Sequence, residues 1–171
     1  CSNDARPMKA LKIGIVIAIA LVGLLAWQLS SPARNAPQVN FTSLDDTQFS
    51  TEDLRGKVVL VKFWATSCVT CIQQMPDMIE TYRHFAPQGY EVIAVAMDYD
   101  PVNYVRTYAE TRNLPFTVVH DASGDIARAF GNVQLTPTAF LIDKKGNIVK
   151  RYLGNYNKAE FTNTVEQALA G

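Results

Sequence analysis

At 171 residues, with 48% hydrophobic and 19% charged side chains, the chain is long enough for one domain with a proper core and too short for two of ordinary size. Sixteen Lys and Arg balance sixteen Asp and Glu, which leaves no electrostatic footprint for nucleic acid. Three cysteines in all exclude a small secreted scaffold held by many disulfides.

The chain opens on a segment unlike the rest. KALK (residues 9–12) is basic, IGIVIAIALVGLLAW (13–27) has no polar side chain, and QLSSPARNAP follows as a polar, Pro-containing spacer. The run is short for a membrane span of about 20 residues, and at the upper end for a signal-peptide core of roughly 7 to 15. Ser31-Pro32-Ala33 is a poor cleavage pattern because Pro occupies its middle, while Leu11, Trp27 and Leu29 extend the apolar stretch, so an uncleaved anchor over 13–29 is favoured over a signal peptide. Arg6, Lys9 and Lys12 outweigh Arg34, which keeps residues 1–12 in the cytoplasm and exports the remainder. Residues 1–7, with Cys1, are expected to be an upstream extension before Met8, 30–38 a linker, and 39–171 the folded domain.

Within that domain, residues 39–50 predict a short hairpin around Asp45-Asp46, and Ser50 with Asp53 a capped helical turn ending at Gly56. KVVLVKFWA (57–65) is a nearly continuous β-branched, apolar run, the pattern of a strand buried on both faces. Residues 69–85 place Ile72, Met75, Met78, Ile79, Tyr82 and Phe85 at helical spacing, with Pro76 expected to kink the helix. Further strands are expected at 90–98, 115–119, 138–143 and 147–153, the last two joined by a turn at Gly146. Helices are expected over 101–112, 123–130 and 158–169. Strands alternating with helices, then an antiparallel pair, predict an α/β fold: a mixed central sheet with helices on both faces, an N-terminal β-hairpin extension and the N-terminal anchor.

SCVTC (67–71) carries the chemistry, since Cys68 stands where a strand hands over to a helix. There, unpaired backbone N–H groups and the positive end of the helix dipole favour a thiolate, lowering the thiol from about 8.5 toward roughly 3.5 to 7.5. Cys68 is therefore the attacking residue, and Cys71, one turn on, the one that resolves the mixed disulfide. A permanent staple gains little from so short a loop. Zinc wants four ligands, and neither a second Cys pair nor a His pair is present, His84 and His120 being far apart. No metal or cofactor is expected, although a copper-handling module using the pair and His120 stays open.

FWATSCVTC (63–71), the Pro76 helix, YEVIAVAMD (90–98), LTPTAFLID (135–143) and KGNIVKRYLG (145–154) together resemble the thioredoxin superfamily, and more closely its membrane-anchored TlpA/ResA-type thiol-disulfide oxidoreductases. The likeness covers residues 36–171. It implies a protein disulfide oxidoreductase, working in the reductase direction on cysteines of exported proteins, for instance in cytochrome c or copper-oxidase maturation. It also implies a membrane thiol electron donor, and a periplasmic domain on an inner-membrane anchor. A monomer without nucleic-acid partners is expected. A cis-proline opposite the cysteines is implied at Pro137, making Thr136 substrate-facing, with Trp64 and Ser67 completing the substrate-binding set. A peroxiredoxin-like peroxidase is the other enzymatic reading, but it requires Thr three residues before its cysteine, and Ala65 stands there.

The departures from the family lie at Ser67, where relatives often carry Trp, at Val69-Thr70 inside the motif, and at Lys62 and Gln74, where relatives carry a buried carboxylate. Lys62 is expected to carry its amine to the surface past its neighbours, with a role in tuning a thiol pKa as the rival reading. Without a carboxylate, proton delivery to Cys71 is expected to come from solvent.

Overall fold

The computed structural model describes residues 14–23 and 34–171. Residues 14–23 form a helix, α1; the remainder of the anchor segment 13–29, the N-terminal 1–12 and positions 30–33 lie outside the described residues. Among the described residues no helix is long and apolar enough to cross a membrane.

The folded unit spans Arg34–Gly171. Its start precedes the expected boundary at 39. Asn35 bridges Asn147, Ala36 N–H donates to Gly146 O at 2.9 Å, and Ala36 is buried, so residues 34–36 run along the far sheet edge instead of serving as linker. Strands β1 (Asn40–Thr42) and β2 (Gln48–Ser50) pair antiparallel as the expected hairpin. The following turn, Glu52–Leu54, is 3-10, and Asp53 accepts hydrogen bonds from the backbone and hydroxyl of Ser50.

The central sheet has the order β5-β4-β3-β6-β7. β3 (Val58–Trp64), β4 (Tyr90–Ala96) and β5 (Thr117–His120) run parallel, while β6 (Thr138–Ile142) and β7 (Ile148–Leu153) are antiparallel. β3 is the middle strand, which is why its side chains are buried without exception. Its even residues Val58, Leu60 and Trp64 face α2 (Val69–Phe85), α3 (Val102–Thr111) and α5 (Lys158–Ala170). Its odd residues Val59, Val61 and Phe63 face the hairpin and α4 (Asp125–Ala129). Pro76 sits inside α2 without ending it. The mixed sheet, helices on both faces and the hairpin extension are thus as the residue pattern predicts.

Two corrections concern β3. Lys62 does not reach the surface: it is 0% exposed. Its cross-strand neighbours are Ala94 and Ala139, whose small side chains leave room for the long stem within the α2 layer. Trp64, assigned to substrate contact, is also 0% exposed; strand alternation turns its indole inward against Tyr108, with ring centroids 5.4 Å apart.

Candidate active site

Parallel strands deliver their C-terminal ends to one edge of the sheet, and there β3 hands over to α2. Cys68 is the N-cap of α2, with extended backbone (φ −86°, ψ 101°), and its carbonyl accepts the first helical bond from Ile72 N–H at 3.1 Å. Its sulfur accepts the backbone N–H of Cys71 at 3.2 Å. A sulfur at the cap is thus held against an N–H that the helix leaves unsatisfied, at the positive end of the dipole, and both effects favour the thiolate over the thiol. In this structure Cys68 and Cys71 form a disulfide with Cα atoms 5.2 Å apart. Cys68 is partly accessible, whereas Cys71 is fully buried in the core beneath α2.

The segment leading into the motif is pinned from outside. Asp100 is buried and accepts both the backbone N–H and the hydroxyl of Thr66, each at 2.6 Å. Its own carbonyl lies 2.8 Å from His120 Nε2, which gives that half-buried ring a partner within the fold. Ser67 is exposed, as is Val69 between the cysteines. His84 is exposed on α2, away from His120 on β5. Among the described residues no three His, Cys, Asp or Glu are grouped to hold a metal ion.

The Thr136-Pro137 bond is cis. The register pairs Phe63 with Thr138, so Pro137 lies beside the end of β3 from which the cysteine loop departs. Thr136 is half-buried and its hydroxyl lies 3.4 Å from that of Tyr99. A chain of hydrogen bonds ties this loop to α2. Pro137 O accepts Gly154 N–H at 2.8 Å, Gly154 O accepts the Gln74 amide at 3.2 Å, and Gln74 Oε1 accepts the Lys62 amine. Gly154 adopts φ +74°, a left-handed conformation that glycine takes at no steric cost. Asn155 Oδ1 accepts the other Gln74 proton at 2.9 Å, so both amide N–H groups are engaged and the carbonyl oxygen is left for Lys62. The Lys62 amine also lies 5.2 Å from the centroid of the Tyr156 ring. Burial lowers the Lys62 amine from 10.5 to about 7 and pushes the Tyr156 hydroxyl far up.

The structure therefore brings Cys68, Cys71, Pro137, Gln74 and Lys62 to one side and end of the sheet, and withdraws Trp64 into the core. Sequence reasoning missed Asp100, Tyr99, Asn155 and Tyr156. For Asp100 a signal existed: it stands in DYDP, just beyond a buried parallel strand, where a carboxylate faces the site edge of the sheet.

The Redoxin family model matches residues 32–169. The thiol-disulfide oxidoreductase ResA of Geobacillus thermodenitrificans is 35% identical over 131 residues, 77% of this chain and 74% of that protein. Thioredoxin-like protein YneN of Bacillus subtilis is 30% identical over 159 residues, covering 85% and 91%. Among solved structures, a thiol:disulfide interchange protein of the thioredoxin family from Chlorobium tepidum superposes with a TM-score of 0.74 at 29% identity, covering 82% of this chain and 99% of its own. With a Cys-x-x-Cys pair at the helix cap and these relatives, the chain belongs to the Redoxin family, as a thiol-disulfide oxidoreductase of the ResA type acting on cysteine-containing proteins.

Proposed function

We propose that the domain works outside the cytoplasm as a reductant of exported proteins, with Cys68 as the attacking and Cys71 as the resolving residue. The Cys68 thiolate attacks a sulfur of the substrate disulfide, forming a mixed disulfide and releasing one substrate thiolate. Cys71 then attacks Cys68; the bond from Cys68 to the substrate breaks, its electron pair leaves with the substrate sulfur, and the Cys68–Cys71 disulfide forms. The substrate gains two electrons and the domain loses them, to be restored by a thiol electron donor in the membrane. The segment 13–29 is the inner-membrane anchor, single-pass with the domain in the periplasm, and the domain acts as a monomer. Substrates of the kind handled in cytochrome c or copper-oxidase maturation fit this role. Ser67, Thr136 and Pro137 are assigned to substrate contact: Ser67 is exposed, Thr136 half-buried, and the Thr136-Pro137 segment lies beside the end of β3.

One observation carries the division of labour: Cys68 is half-buried and its sulfur receives an N–H at the helix cap, while Cys71 is wholly buried. Replacing Cys71→Ser in the full chain should capture a mixed disulfide with exported cysteine proteins through Cys68. Capture that works only through Cys71 overturns the assignment. The reductase direction fails if the domain's reduction potential is more oxidising than that of the disulfides it meets.

A further inference from the structure

A buried lysine in the middle strand of a sheet is costly. An ammonium taken from water loses hydration that a single amide oxygen does not restore. Lys62 nevertheless sits there, with Ala94 and Ala139 beside it and Gln74 Oε1 as its one hydrogen-bond acceptor among the described residues. Gln74 follows Cys71 by three residues on the same buried face of α2, about one helical turn away. Cys71, having no contact with solvent, has nowhere obvious to send its proton when it must become a thiolate.

We propose that Lys62, aimed by Gln74, is the proton carrier for Cys71: the neutral amine takes the thiol proton as Cys71 attacks Cys68, and the ammonium returns it when the disulfide is reduced. The inference rests on Cys71 being the resolving thiol. In the forward step the Cys71 S–H bond breaks and a Lys62 N–H bond forms. The Cys71–Cys68 bond forms as the Cys68–substrate bond breaks, and the electron pair leaves on the substrate thiolate. Nothing beyond the established exchange partners is needed. An amine lowered to about 7 by burial is divided between its two forms at neutral pH, which suits a group that must both take and give.

The other titratable groups facing the amine do not replace it. On α2, Cys71 lies one turn before Gln74, and Asp77 is exposed and bound to Lys158 at 3.0 Å. From the segment after β7 comes Tyr156, whose hydroxyl is pushed far above neutral pH by burial. From β7 comes Tyr152, whose ring packs on that of Tyr156 at 5.2 Å and whose buried hydroxyl has no hydrogen-bond partner among the described residues. The flanking strands present only Ala94 and Ala139.

The test loads Cys68 of the full chain as its mixed disulfide with thionitrobenzoate and follows release of the coloured thiolate by stopped flow across about pH 5 to 10. In the wild type the rate rises with a midpoint near that of Lys62, about 7. In Lys62→Met the release is roughly tenfold slower at pH 7, and the gap to the wild type narrows toward the alkaline end of the range as unaided loss of the thiol proton takes over. Gln74→Met keeps the amine but removes the acceptor that favours its charged form, so the midpoint moves to lower pH. Superimposable profiles for wild type and Lys62→Met, or a slowing equal at every pH, overturn the proposal.

A measurement without any variant stands beside it. In wild type labelled with 15N at the lysine amine, the Lys62 titration midpoint shifts when the disulfide is reduced; an unchanged midpoint also overturns the proposal. Failure of the underlying reading looks different. If the label lodges on Cys71, so that Cys68→Ser takes it up and Cys71→Ser does not, the nucleophile is misassigned whatever the pH profile.

Discussion

On one face of β3, Val59, Val61 and Phe63 meet an apolar layer in which Phe63 packs edge-on against Phe130 and Phe140, at centroid distances of 5.6 and 6.1 Å. On the opposite face, Val58, Leu60 and Trp64 share their layer with the Lys62 amine. The first face also borders a buried carboxylate, Asp121, but each of its oxygens is engaged by the backbone: they accept the N–H groups of Ile126 at 3.2 Å and Ala127 at 2.8 Å, at the start of α4. Asp121 satisfies a helix end, a structural use. Among the described residues Lys62 joins no ion pair, and its amine rests on one amide oxygen beside the Tyr156 ring. A buried polar group that serves the fold is saturated by backbone, whereas one held by a single neutral side chain remains free to change its proton count. Among the described residues of β3, the face that carries Cys71 has such a group.

The largest expected effect breaks this comparison at Lys62. In the oxidised protein, where Cys68 and Cys71 do not titrate, Lys62 binds its proton below about 7 in the folded state and below 10.5 in the unfolded chain. Below pH 7 the amine is charged in both states and the burial penalty is carried in full. Between 7 and 10.5 the unfolded chain binds more protons, so wild-type stability climbs with pH by about 1.4 kcal/mol per unit, as much as about 5 kcal/mol in all. Lys62→Met removes the titrating group and with it the slope. Urea unfolding of both proteins from about pH 7 to 9.5 stays below the range where tyrosines interfere. Parallel curves would show that the amine is not desolvated as its place in the sheet requires.

Next in size is Phe63→Ala on the apolar face, expected to cost about 3 to 5 kcal/mol because the cavity between Phe130 and Phe140 closes only in part. Its value lies in what it leaves alone. The pH midpoint of thionitrobenzoate release should stay at the wild-type position, since no titrating group of the α2 layer is touched. A midpoint that follows Phe63→Ala would mean that general loosening, not the loss of a particular amine, sets the profile.

Much of this arrangement was legible in the residues. The β-branched run 57–65 reads as a two-faced strand because its neighbours on both faces are equally apolar, and α2 begins and ends where its spacing predicts. Cys68 at the strand-to-helix junction follows from those two elements alone. What could not be read is which of the side chains in VKFW turns to which layer and what waits there. A lysine in a strand ordinarily carries its amine to water. Its burial depends on Ala94, Ala139 and Gln74, drawn from two other strands and a helix, and no local pattern joins them. Trp64 was misplaced for a related reason: proximity to the motif in sequence says nothing about strand alternation, which turns its ring inward. Asp100 and Thr66 are separated by 34 positions and meet only because β3 and β4 are adjacent and parallel.

That last pair gives the smallest effect and the sharpest contrast with Lys62. Asp100 holds Thr66 through two short hydrogen bonds, one to its backbone N–H and one to its hydroxyl. Asp100→Asn keeps the volume but turns one acceptor oxygen into a donor, which then faces a donor or leaves it unpaired. The expected cost is about 1 to 3 kcal/mol, that of a buried polar group losing its partner. Thr66 lies two residues before Cys68, so the cap geometry that holds the Cys68 sulfur over the Cys71 N–H should loosen with it, and exchange should slow. This slowing has a different signature. Because Asp100 positions the loop and exchanges no proton with either cysteine, Asp100→Asn should lower the release rate by a similar factor at every pH, leaving the midpoint in place. Measured beside Lys62→Met, the two profiles separate positioning from proton transfer: one is displaced downward, the other changes shape. If Asp100→Asn also moved the midpoint, the two sides of the site would be coupled through the Pro137–Gly154–Gln74 chain of hydrogen bonds, and the contrast between a saturated carboxylate and a lightly held amine would no longer explain which group sets the pH response.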